Sequence, residues 1–74
     1  PTAAQIRTLN RTGHIWKRGD RYYKLAHKYY GESSYWWVIA WFNQKPTEAH
    51  LKIGDIVEIP TPLHKIFDIL RAGR

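Results

Sequence analysis

The chain has no cysteine, few carboxylates and no long apolar run. Without Cys it can form neither a disulfide staple nor a thiolate zinc site, and a reducing compartment is permitted. No apolar stretch approaches the roughly 20 residues needed to cross a bilayer. Pro1 to Gln5 lack the charged head and apolar middle of a secretory signal. Pro1 fits a chain whose initiator Met has been removed, so a whole small protein rather than an excised domain is expected. Only 6 Asp and Glu stand against 12 Lys and Arg, a formal charge of +6. The 74 residues make one small domain, with no room for a second core.

What the chain does have is aromatic side chains, 4 Trp, 5 Tyr and 2 Phe, and nine of these eleven fall between Tyr22 and Phe42. A small domain without staples has a marginal core, and large partner surfaces are a common remedy.

The first segment, residues 1–13, reads as an arm. Ile6 and Leu9 are its sizeable apolar residues, and its composition predicts flexibility. His14 to Lys17 alternate as a short strand and meet a turn at Arg18-Gly19-Asp20. Asp20 is placed to N-cap a helix. From Arg21 to Tyr30 the apolar residues Tyr22, Leu25, Ala26 and Tyr29 share one helical face, and Gly31 ends it. Ser33 or Ser34 offers a second N-cap, for a helix from Tyr35 to Phe42. With Trp36, Ile39, Ala40 and Asn43 inward, Trp37, Val38, Trp41 and Phe42 point elsewhere. A helix apolar all round is either fully buried or waiting for a partner, and so short a chain can hardly surround it. An interface is expected there.

Residues 44–50 read as a loop. Gly54-Asp55 form a turn, and Ile56 to Ile59 alternate as a second strand closed by Pro60. Thr61-Pro62 resemble an N-cap and first helical position, after which Leu63, Ile66, Phe67 and Leu70 mark a terminal amphipathic helix within residues 61–74. The class is α+β: two antiparallel strands, two helices on one face, an N-terminal arm and a C-terminal helix.

The run from His14 to Asp20, then Leu25-Ala26, Tyr29-Tyr30-Gly31, Asn43, and Ile53 to Pro60, resembles a LysM domain over residues 14–60. The resemblance implies the same βααβ fold. With Trp36-Trp37 before Asn43, it is most similar to the LysM-type domains of tail and baseplate wedge proteins of contractile-tailed phages. That implies a structural virion component, assembled in the host cytoplasm, whose partners are other virion proteins. The wider family implies noncovalent binding of N-acetylglucosamine polymers such as peptidoglycan. The matching groove positions are Gly19, Asp20 and Arg21 on one side and Gln44, Lys45, Pro46 and Thr47 on the other. Where the family carries a small hydroxyl residue after Gly-Asp, this chain has Arg21, a long cation that crowds a shallow sugar groove. Glycan binding therefore ranks second to docking.

The expected partner-binding residues are Trp37, Val38, Trp41 and Phe42, with Tyr23, Tyr30, Lys24 and Lys28 beside them. Trp36 is assigned to the core. The cations are scattered, although Lys17, Arg18, Arg21, Lys24 and Lys28 can form one patch around the first helix. Such a patch is a solvated face or a steering surface for an acidic protein, and nucleic acid ranks below both. His14, His27, His50 and His64 include no i, i+4 pair on one helix, so no zinc site is expected, and no cofactor. Ser33, Ser34, Asp20 and Asp55 are explained by caps and turns, so no enzyme is expected either. Asn43 is singled out as a structural polar residue that satisfies loop backbone groups.

Overall fold

The computed structural model describes residues 9–72. Residues 1–8 of the expected arm, and Gly73 and Arg74, lie outside the described residues. Strand β1 (Asn10–Ile15) is followed by helix α1 (Tyr22–Tyr30), a 3-10 turn at Ser33–Tyr35 and helix α2 (Trp36–Phe42). A second 3-10 turn at Glu48–His50 precedes strand β2 (Ile56–Thr61) and helix α3 (Leu63–Ala72). The two strands pair antiparallel, from Asn10 opposite Thr61 to Ile15 opposite Ile56.

The first strand starts four residues earlier than local alternation suggests. Asn10 to Gly13 belong to the sheet and not to an arm, because β2 runs through Pro60 to Thr61 and offers them a ladder. Backbone pairing overrides a weak local preference there. Leu9, just before β1, is buried. Lys17 falls outside the strand, although Trp16 still bonds to the turn before β2.

Helix α1 buries Tyr22, Leu25 and Ala26, the face that the spacing selects, and ends at Gly31 in the left-handed conformation, φ 78°. Its start differs from expectation. Asp20 does not cap it, since its carboxylate accepts from His14 Nε2 at 2.8 Å and from Lys17 N–H at 2.9 Å. The first helical N–H, of Tyr22, donates instead to Glu48 Oε2 at 2.9 Å, across 26 residues of chain. Likewise Glu32, not a serine, accepts the N–H of Ser34 at 3.2 Å and opens the turn before α2. At α3 the carbonyl of Pro62 takes the first helical N–H groups, from Lys65 and Ile66, one residue later than expected.

Helix α2 is the centre of the fold. Ile39 and Ala40 pack with Trp16, Tyr22, Leu25, Ala26, Val57 and Ile59, while Val38 packs with Leu9, Ile66 and Ile69. One seven-residue helix therefore serves two apolar clusters, one under the sheet and α1, the other under α3. Its all-round apolar character is explained in large part by the chain's own C-terminal helix. Asn43 then ties α2 to the sheet. Its Nδ2 donates to the carbonyls of Ile39 and Glu58 at 2.8 Å each, and its Oδ1 accepts from Glu58 N–H at 2.8 Å.

The His14 ring is 7% exposed, and its Nδ1 lies 3.2 Å from the Tyr29 hydroxyl. Burial pushes the Asp20 carboxyl up, but the hydrogen bonds and charges of His14 and Lys17 outweigh it and hold the group below 3.8. A carboxyl lowered only in the folded chain stabilises the fold above its unfolded value, and that contribution is lost as the pH falls through the folded one. Urea midpoints of the wild-type chain should therefore fall between about pH 5 and pH 2. Asp20→Asn should show a shallower fall over that interval, and equal slopes for the two proteins would refute the assignment.

Candidate docking groove

The aromatic residues converge on one surface. On α2, Trp36 and Ala40 are one turn apart, as are Trp37 and Trp41, so the small Ala40 side chain forms a floor between three indoles. A hollow of about 360 Å³ results, lined by Trp36, Trp37, Ala40, Trp41, Gln44 and Pro46. Trp36 and Pro46 separate it from a second hollow of about 350 Å³, lined also by Tyr22, Tyr23, Thr47 and Glu48. On the other side, Trp37 meets Phe67 of α3 at 6.2 Å between ring centroids. The aromatic surface thus runs from Tyr23 to Phe67. Tyr23 is 52% exposed, Trp36 44% and Trp37 37%.

The loop wall of this groove is held by specific bonds. After α2 the N–H of Lys45 donates to the Ala40 carbonyl and that of Gln44 to the Trp41 carbonyl, with Gln44 at φ 55°. This is the left-handed helix stop usually given to glycine, at about 1 kcal/mol for a side chain that must adopt it. It turns the chain back toward α1. There the Tyr22 hydroxyl donates to the Lys45 carbonyl at 2.8 Å, and Glu48 receives the Tyr22 N–H. Both bonds hold Pro46 opposite Trp36. Burial first, and the Glu48 charge second, push the Tyr22 hydroxyl above its ordinary value of 10.0, so it stays a donor at neutral pH.

Trp37 and Tyr23, two of the expected partner-binding residues, stand on this surface. Trp41 lines it half-buried, and Phe42 is half-buried against the α3 cluster. Val38 is a correction: fully buried, it is core and cannot be an anchor. Trp36 is the opposite correction, since it stands in the groove and not in the core. The burial of Val38 in the α3 cluster, with Ile39 and Ala40 in the other, leaves Trp36 on the outward side of α2. Tyr30 lies apart, its hydroxyl donating to the Pro60 carbonyl at 2.6 Å, with burial raising its pKa.

Of the positions that a sugar groove requires, Gln44, Pro46 and Thr47 line the two hollows, but Gly19, Asp20 and Arg21 do not. Arg21 Nη1 donates to the Asp20 carbonyl at 2.7 Å, and Gly19 supplies the turn at φ 86°. The Lys45 side belongs to another hollow, with Asn43, Leu51, Asp55 and Ile56. Sequence reasoning missed Tyr22 and Glu48 as groove residues. No local pattern marks them, because a contact across 26 residues joins them.

No family model, curated protein or solved structure matches the chain. Every carboxylate in the sequence is engaged. Asp20, Glu32, Glu48 and Asp55 accept backbone N–H groups, and Glu58 and Asp68 pair with Arg11 and Arg71. Lys24 and Lys28 on α1, with Arg21 just before it, have no carboxylate partner among the described residues. Lys24 Nζ reaches only the Gly19 carbonyl at 3.1 Å, and Lys28 Nζ lies 5.2 Å above the Tyr29 ring. No three His, Asp or Glu side chains among the described residues group to hold a metal ion. No described helix is long and apolar enough to cross a membrane.

Proposed function

We propose that this chain is a non-enzymatic docking module, a LysM-like structural subunit of a phage tail or baseplate that seats its aromatic groove on neighbouring virion proteins. The adjacent, solvent-facing indoles of Trp36 and Trp37 carry this reading. Tryptophan is enriched among interface anchors, and covering the open part of each ring is worth about 2 kcal/mol at about 25 cal/mol per Å². The bonds from Tyr22 preset the loop wall, so little ordering cost remains on binding.

Replacing both Trp36 and Trp37 with Ala tests the proposal. The far-UV spectrum of the isolated chain should be retained, while recovery on purified tails or baseplates in a sedimentation assay falls by about tenfold or more. Unchanged recovery with a folded variant would sink the docking reading.

A second reading, binding of N-acetylglucosamine polymers, is supported by one observation. The hollow beside Trp36 is sugar-sized and sets the polar groups of Thr47 and Glu48 beside aromatic faces. Retention of the isolated monomer on peptidoglycan, lost in the same double variant, would put wall binding in place of docking.

A further inference from the structure

The two edges of the sheet are finished differently. Trp16 N–H donates to the Asp55 carbonyl at 2.7 Å, and the Trp16 carbonyl accepts from Gly54 N–H at 2.8 Å. The alternation of an extended strand then directs the backbone groups of His14 and Thr12 toward β2, and those of Arg11, Gly13 and Ile15 away from it. On β2 the outward groups belong to Ile56, at the end of the ladder, and to Glu58 and Pro60. Those of Glu58 and Pro60 are met: the Asn43 side chain serves both groups of Glu58, proline has no N–H, and the Pro60 carbonyl accepts from Tyr30. Along the β1 edge no described residue does the same for Arg11, Gly13 or Ile15. An edge left open in this way is a template for another strand.

The surroundings of that edge state what such a strand would carry. On the outer sheet face, Ile15 and Ile56 are cross-strand partners, 62% and 68% exposed, and Gly13 adds no side chain to cover them. On the inner face, Tyr29 reaches His14 of β1 while Tyr30, on the other flank of α1, reaches Pro60 of β2. The Lys28 flank of α1 therefore lies on the β1 side, with its ammonium above Tyr29 and no carboxylate beside it.

We propose that β1 accepts an extended segment of a partner protein as a third strand, and that this segment alternates apolar and acidic side chains. Backbone bonds to Arg11, Gly13 and Ile15 supply the affinity, the apolar residues cover Ile15 and Ile56, and the acidic ones face Lys28. This edge is separate from the aromatic groove, and the inference stands without the docking reading.

A synthetic peptide of about eight residues alternating valine and glutamate, titrated into the full ¹⁵N-labelled chain, tests it. Amide exchange at Arg11, Gly13 and Ile15 should slow by about tenfold or more, and a valine–lysine peptide should bind at least about tenfold more weakly. Gly13→Pro removes one outward N–H without touching a ladder donor, and should weaken the valine–glutamate peptide by about tenfold. The two-peptide comparison uses the unmodified chain and so survives failure of that variant to fold. Equal binding of both peptides, or protection confined to other amides, would overturn the proposal. So would slow exchange at these three amides in the free monomer, which would mean an edge already covered, or slowing that tracks chain concentration alone, which would mean a second copy.

Discussion

Asn43→Ala is expected to lower the melting temperature of the chain by about 8–16 °C. The substitution deletes three hydrogen bonds of 2.8 Å and leaves the N–H and the carbonyl of Glu58 without their partner, while the Ile39 carbonyl keeps the backbone N–H of residue 43. Each half-buried group left unpaired costs about 1 kcal/mol, and a domain of this size moves by about 4–8 °C per kcal/mol. Asn43→Asp separates the donor role from the acceptor role. It keeps an acceptor for Glu58 N–H but sets a carboxylate oxygen against the carbonyls of Ile39 and Glu58. At pH 7 it should be at least as destabilised as Asn43→Ala. A loss under about 3 °C for either variant, by calorimetry or circular dichroism, would show that water replaces the amide without cost.

Asn43 also shows how far local sequence could be read. Its position just past an apolar helix marked it as a backbone-satisfying residue, and the structure adds that the backbone satisfied is that of β2. The face of α1, its stop at Gly31 and the antiparallel sheet were legible because each rests on spacing or a single conformational requirement. The caps were not. Asp20 and the serines have the right chemistry at the right places, but His14 claims Asp20, and Glu48 and Glu32 supply the bonds instead. Those choices are made by tertiary neighbours, which no window of sequence contains. The groove was half legible for the same reason. Trp37 stands outside the core, where an excess of aromatics on one short helix puts it, whereas Trp36 and Val38 exchange roles because Val38 packs against α3.

Truncation after Pro62, which removes α3, is expected to abolish the cooperative unfolding transition. Helix α3 contributes Ile66, fully buried, and Ile69, 9% exposed, to the cluster that encloses Leu9 and Val38. It also packs Leu63 and Leu70 against that cluster and Phe67 against Tyr35 and Trp37. Each fully buried aliphatic side chain is worth about 1.5–3 kcal/mol. Removing Ile66 and Ile69 and uncovering Val38 and Leu9 therefore costs more than the roughly 5 kcal/mol that a domain this small has in reserve. Uncovered, that surface would join Trp41 and Phe42 to the aromatic groove in one apolar patch, so the shortened chain should also self-associate. Ile66→Ala is the milder form: it should stay folded at low temperature and lose about 3 kcal/mol, read as a shift in urea midpoint. A truncated chain that still melts cooperatively as a monomer would make α3 an appendage and return Val38 to the surface, where it could serve as an anchor after all.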